Sequence, residues 1–264
     1  MLCVLGNTPR FVFEGVDFGP LLHSIVAGEL DADRMDYLLR DSHHTGVSYG
    51  RYDHEWIVRN VTMTVVDNAA RLALSHRALY AFDDFLFSRL QMFLAVYFHP
   101  TPVAFDEMLR RHFASSGATF KIPAEPGAFA HCDDGALVEN LRASHEPWAE
   151  RIVARVPFKL LYETDAEPAL VDRIASELDG AGALNFTTTS RGVVSKYFGG
   201  DDSLLVVDGD RVRPISEVAS LLKNHSRPVQ LARVYAAPER WDEAVSVRNR
   251  VRASFTRAGS RLDA

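Results

Sequence analysis

The stretch 29–50, ELDADRMDYLLRDSHHTGVSYG, brings together the residue types from which a binding site is built. Taking Asp33 as origin and advancing 100° per residue, Tyr37 falls at about 40°, Asp41 at about 80°, His44 at about 20° and Arg40 at about −20°. Met35, Leu38 and Leu39 occupy the opposite face and form a core-facing stripe. Two carboxylates, a phenol, a guanidinium and an imidazole on one face could hold a metal ion and a polar ligand. A solvated face laced with pairs such as Asp36–Arg40, each contributing about 0.2–0.5 kcal/mol, is the other reading. Spacing leaves both open.

A helix from about Asp31 to His44, closed by Gly46, must position this face. Before it, a short apolar run from Leu21 to Ala27 breaks at Gly28. Residues 52–66 read equally as helix or strand. From Asn68 to His99 there is neither Gly nor Pro, which predicts one long helix, interrupted at Pro100 and Pro102 before a helical pattern resumes in VAFDEMLRRHF. The stretch from Gly117 to Gly135 reads as a loop, and 134–156 as two short helices split near Pro147, with Asp133/Asp134 available as an N-cap. After Pro157 come short β-branched or aromatic runs, FKLLYE, RGVVSKYF, SLLVVDG and VQLARVY, with helical stretches near 166–178, 215–223 and 238–254. The expected division is an all-α part at 1–156 and a smaller α+β part at 157–264.

Composition narrows the class. The 264 residues are 47% hydrophobic and 24% charged, enough for one core or a core with an appended subdomain. A net charge of −6 gives no basic field for non-specific nucleic-acid or acidic-membrane binding. Cys3 and Cys132 form neither a disulfide framework nor a zinc spacing, which predicts a reduced, cytoplasmic setting; no signal peptide or spanning segment is expected. Asn185-Phe-Thr is a formal glycosylation sequon without meaning there. The glycines at 180, 182, 199 and 200 match no phosphate-binding pattern.

The string LDADRMDYLLRDSHHTGVSYGRYD resembles the segment that ends the metal site in HD-domain deoxynucleotide triphosphohydrolases. Further similarity follows in SRLQMFLAVYFHPTPVAFDEMLRR, in DDGALVENLRASHEPWAERIVARVPFKLLYET, and from SKYF at 195–198 through ARVY at 232–235. The resemblance implies a mainly α fold, a partial HD-like helical bundle with the α+β part behind it. It implies a divalent metal ion with Asp33 as a ligand, and a nucleotide (dNTP-like) substrate. Arg34 stands where a basic residue meets the phosphates, Tyr37 and Asp41 where the sugar 3′-hydroxyl is read, Arg89 where an arginine meets the terminal phosphate, and Tyr97 where an aromatic lines the sugar pocket. Arg89, Phe93 and Tyr97, four apart, can share a helix face. Phe93 replaces a histidine of the human member. Arg155 and Lys159 match a basic pair that contacts regulatory nucleotides in a tetrameric relative; an exposed pair flanking a strand is the other reading.

The family's metal-binding His and His-Asp pair have no counterpart in these 264 residues. A lone carboxylate cannot hold a catalytic divalent ion, since several bonds must offset its dehydration. His43, His44 and His54 lack metal spacing and read as surface histidines. The expectation is therefore a metal-dependent phosphohydrolase that is incomplete or inactive on its own, with a homo-oligomer or a complementing HD half as partner. A non-catalytic nucleotide-binding or assembly module is the alternative.

Overall fold

The computed structural model describes residues 11–28, 30–192, 204–219 and 229–259. In chain order its first elements are β1 (Val12–Phe13), β2 (Val16–Asp17), α1 (Gly19–Ala27), α2 (Ala32–Thr45), α3 (His54–Asn60), β3 (Val61–Val66), β4 (Ala69–Ser75) and α4 (Leu79–Met92). A π-helical turn, Phe93–Tyr97, follows directly. Next come α5 (Pro100–Ala114), α6 (Pro126–Phe129), α7 (Asp134–Ala143), α8 (Pro147–Val153), β5 (Lys159–Thr164), α9 (Pro168–Gly180) and β6 (Asn185–Gly192). The chain closes with β7 (Leu205–Asp208), β8 (Arg211–Pro214), α10 (Ile215–Val218), β9 (Val229–Ala236) and α11 (Trp241–Gly259). It forms two compact units, one from residues 1–96 with 192–229, the other from 97–191 with 230–264.

The mainly α expectation is wrong: the fold is mixed α/β with two sheets among the described residues. The error lies chiefly at 69–75, where the long helix expected from Asn68 is instead the second strand of a hairpin, its first strand falling in the stretch left open between helix and strand. Val61–Val66 is rich in β-branched residues, and Asp67 and Asn68 turn the chain at φ 51° and 57°. Short polar side chains tolerate that left-handed region, so a two-residue turn needs no glycine here. Only at Leu79, after a 3-10 turn at His76–Ala78, does the helix begin.

In the first unit β4 is the hub. It pairs antiparallel with β3 along its whole length, and parallel with β2 and β7 on its other edge. Leu72 and Leu74 of β4, Val206 of β7, and Phe82, Phe85 and Leu86 of α4 are buried. In the second unit β9 lies between β5 and β6. Its Ala232, Val234 and Ala236 pack on α9 and α11, while Tyr235 packs with Phe158, Phe186 and Met108 of α5. A strand apolar on both faces is what a covered sheet requires.

The other expectations divide. The helices at 134–143 and 147–153 are separate, and Asp133 Oδ1 caps the first by accepting from Ala136 N at 2.9 Å. The expected loop at 117–135 contains the short α6. Cys3, Gly199, Gly200, SKYF at 195–198 and the end of the stretch at 215–223 lie outside the described residues.

Candidate functional site

Helix α2 forms where the sequence places it because both ends are capped. Asp31 accepts from Arg34 N at 2.7 Å, and Gly46 leaves the helix at φ 73°. Leu38 and Ser42 are buried, Asp33, Asp36 and Arg40 are exposed, and Arg34, Tyr37 and Asp41 are half-buried along the flank. Arg40 closes on Asp36, the exposed i,i+4 pair foreseen from spacing.

The segment after Gly46 folds back to fix the helix. Ser42 Oγ donates to the Val47 carbonyl at 2.8 Å and accepts from Gly50 N at 3.3 Å. A Cβ on Gly50 would press into the Leu38 carbonyl and the Ser42 side chain, so only glycine allows this approach. Tyr52, buried, donates its hydroxyl to the Met35 carbonyl at 2.7 Å and meets the Phe85 ring edge-on at 5.1 Å. Burial holds its phenol well above the ordinary value, helped by the nearby Asp36 charge. Tyr52 thus ties α2 to α4, the helix that carries Arg89.

Around the N-terminus of α2 four charged groups come within electrostatic reach. Arg34 folds back to donate to the Gly28 carbonyl, with Asp31 Oδ2 3.6 Å from its Nη1. Arg89, only 8% exposed, lays its guanidinium over the Phe93 ring at 5.4 Å. Burial raises the Asp31 carboxyl above its ordinary value of 3.8; the Arg34 N–H and the Arg34 and Arg89 charges oppose the rise, and Asp33 adds to it. The structure therefore brings Asp33, Arg34 and Arg89 together about Asp31, which sequence reasoning used only as a helix boundary. Tyr37 and Asp41 lie one and two turns further along α2. Tyr97 ends the π-turn and begins the second unit. Tyr37, Asp41, Arg89 and Tyr97 all have interaction partners.

Asp33 does not amount to a metal site with its neighbours. Asp31 is engaged as the cap and Asp36 with Arg40, while His43 and His44 stand at the far end of the helix. Among the described residues no group of three or more His, Cys, Asp or Glu side chains could hold a metal ion. Among the described residues no set fits the divalent ion that the resemblance implies.

Elsewhere the expected basic pair separates into two roles. Arg155 is exposed at φ 56°, just past α8, and Lys159 starts β5 with its ammonium 5.6 Å from the centre of the Trp241 ring. The second unit also holds features that the sequence reading passed over. A cleft of about 570 Å³ is lined by Ser115, Ser116, Thr119, Asn140, Ser144 and Glu146, among others. Glu146 Oε2 caps α8 through Trp148 N and Ala149 N and lies 3.0 Å from Nδ1 of the fully buried His112. Buried Arg233, on β9, reaches Glu163 of β5 and Ser190 of β6. The run SSGAT and the Glu-Pro start of α8 were the visible signals for the cleft.

Residues 52–244 match the family described as the HD associated region. The chain belongs to that family, which places it with the HD superfamily. Asp33, Arg34, Tyr37 and Asp41 lie just ahead of the matched residues; Arg89, Tyr97, Arg155 and Lys159 lie within them. The chain is 38% identical over 137 residues to the uncharacterized protein MJ1154 of Methanocaldococcus jannaschii, covering 52% of this chain and 30% of that one. It is 38% identical over 88 residues to the uncharacterized YwfO of Bacillus subtilis, covering 33% and 19%. Among solved structures, a hypothetical protein from Aquifex aeolicus superimposes with a TM-score of 0.70 at 26% identity, covering 86% of this chain and 59% of that one. A phosphohydrolase from Bacteroides thetaiotaomicron superimposes with a TM-score of 0.59 at 24% identity, covering 81% and 63%, a likeness of fold. The chain spans less than a third of these curated relatives. No helix among the described residues is long and apolar enough to cross a membrane.

Proposed function

We propose that the chain is the nucleotide-facing part of an HD-type, metal-dependent phosphohydrolase acting on deoxynucleoside triphosphates, in which it supplies Asp33 and the metal's other ligands come from elsewhere in the assembled protein. The observation that carries this reading is the pair of guanidinium groups, Arg34 and Arg89, beside the N-terminus of α2. Guanidinium forks match phosphate oxygens, and a helix N-terminus adds a positive field. Tyr37 and Asp41, half-buried one and two turns further along the same helix, offer a donor and an acceptor for a sugar hydroxyl. Taking a phosphate with Arg34 would cost its bond to the Gly28 carbonyl. Arg155 and Lys159 remain candidates for a second, regulatory nucleotide, and a cytoplasmic setting accompanies the reading.

The test is calorimetry of the 264-residue chain with each dNTP, beside hydrolysis assays with Mg²⁺ or Mn²⁺. Binding weakened about tenfold by Tyr37→Phe and by Asp41→Asn, with folding unchanged by circular dichroism, is the expected result. No binding of any dNTP would sink the nucleotide reading. A non-catalytic nucleotide-binding or assembly module is the second reading, favoured by the isolation of Asp33 from other metal ligands. Binding without hydrolysis, even after a complementing HD half is added, selects it.

A further inference from the structure

The cleft beside the start of α8 belongs to the second unit alone, built from the chain that follows α5 and from the junction of α7 with α8. One hydrogen bond joins these two segments, from Asn140 Nδ2 to Thr119 Oγ1 at 3.0 Å. Gly117 keeps the space beside Glu146 clear. A Cβ there would stand 3.2 Å from Glu146 Cγ, so a side chain at 117 would press on the glutamate.

Glu146 is held through one oxygen and open at the other. Oε2 takes the Trp148 and Ala149 N–H groups and lies 3.0 Å from Nδ1 of buried His112, while Oε1 accepts no hydrogen bond among the described residues. Asn140 Oδ1 is buried without a hydrogen-bond partner. A buried acceptor left unmet is costly, and what it lacks is a donor. The other polar groups are hydroxyls. Thr119 and Ser144 accept, from Asn140 Nδ2 and Glu146 N, and keep their protons to donate; Ser115 donates to the His112 carbonyl and keeps its lone pairs. Among the described residues that line the cleft there is no lysine and no arginine, and the only ring is that of exposed His145.

Charge and donor pattern together select the ligand. A phosphate would meet the Glu146 carboxylate with no cation to pair it, and an apolar molecule would leave the polar groups unmet. A neutral molecule whose adjacent hydroxyls donate to acceptors and accept from serine and threonine answers both. We propose that this cleft binds a neutral sugar, setting a vicinal diol on Glu146 and Asn140 and further hydroxyls on Thr119 and Ser144. Its volume of about 570 Å³ lies within the range of small-molecule sites. Glu146 makes the contact, and His112 is a positioning residue that holds it. The site uses none of the residues of the nucleotide reading, so either can fail without the other.

A proton–nitrogen NMR titration of the full chain with methyl D-ribofuranoside tests it, with the 2-deoxy furanoside, which lacks the diol, as control. The riboside should shift the amides of Ser116, Gly117 and Ser144 with a Kd of about 1–10 mM, and the control should bind at least about tenfold more weakly. Glu146→Gln keeps the size and loses the charge, and should weaken binding about tenfold. Ala143→Phe fills the cleft from an exposed position and should abolish the shifts with the circular dichroism unchanged. Adenosine separates the two sources of such a diol: affinity equal to that of the riboside marks a free sugar, and tighter binding at the same amides marks a nucleoside. No shift at up to about 50 mM riboside overturns the proposal. So does equal binding of the 2-deoxy compound, binding that survives Ala143→Phe, or displacement of the riboside by inorganic phosphate.

Discussion

At the scale of single residues, Asp31 does two jobs that conflict. As the N-cap of α2 it needs only an oxygen, but as a buried carboxylate among charges it must also ionise. Its folded-state value is raised, so between 3.8 and that raised value the folded protein holds a proton that the unfolded chain has lost. Its contribution to stability is complete below 3.8 and is lost as pH climbs through the window. Asparagine caps as well and never ionises. Asp31→Asn should therefore gain on the wild type as pH rises from 3.8 through that raised value, whereas Asp31→Ala should cost about 1 kcal/mol by loss of the cap. Urea unfolding at several pH values measures both, and a gap between Asn and Asp that does not change with pH contradicts the assignment. Arg89 makes the same point about legibility. Its place beside Asp31 is a product of helix packing, and no spacing in the sequence relates the two.

At the scale of elements, α2 is a helix whose position is set from outside. Tyr52 and Gly50 hold it, one by a hydrogen bond and one by having no side chain. Tyr52→Phe keeps the ring against Phe85 and should cost about 0.5–1.5 kcal/mol, the worth of one hydrogen bond. Gly50→Ala should cost more, about 1–3 kcal/mol, because the backbone itself must shift. Chemical denaturation ranks them, and the reverse order would show that the close approach at Gly50 is not what seats the helix. The extent of α2 was legible because Asp31 and Gly46 are strong local signals. The hairpin at 61–75 was not. Freedom from Gly and Pro argues for helix only if turns demand those residues, and Asp67 and Asn68 turn without either. The π-turn at Phe93–Tyr97 was equally hidden, since no residue type announces it. The split before Pro147 was visible because proline blocks the first turn's predecessor from helix.

At the scale of the whole molecule, the described residues include no group of three or more His, Cys, Asp or Glu side chains that could hold a metal ion. A ligand that binds only the folded state raises its melting temperature. Mn²⁺ or Ni²⁺ added to the chain alone should therefore move thermal unfolding by less than about 1 °C. A rise of several degrees would mean that residues other than those described complete a site. The sequence conveyed the membership of the HD superfamily and the strands in FKLLYE, SLLVVDG and VQLARVY, but not their pairing into two sheets, because sheet partners are drawn from distant stretches. The parallel pairing of β4 with β7 has a further consequence, for the order of events on the ribosome. Ser75 is made about 130 residues before Leu205, the start of its partner strand. At about 5–20 residues per second, β4 waits roughly 10 s for that partner. Through that interval neighbours already made, β3, β2 and α1 among them, shield it, so the early hairpin also guards the edge that β3 covers.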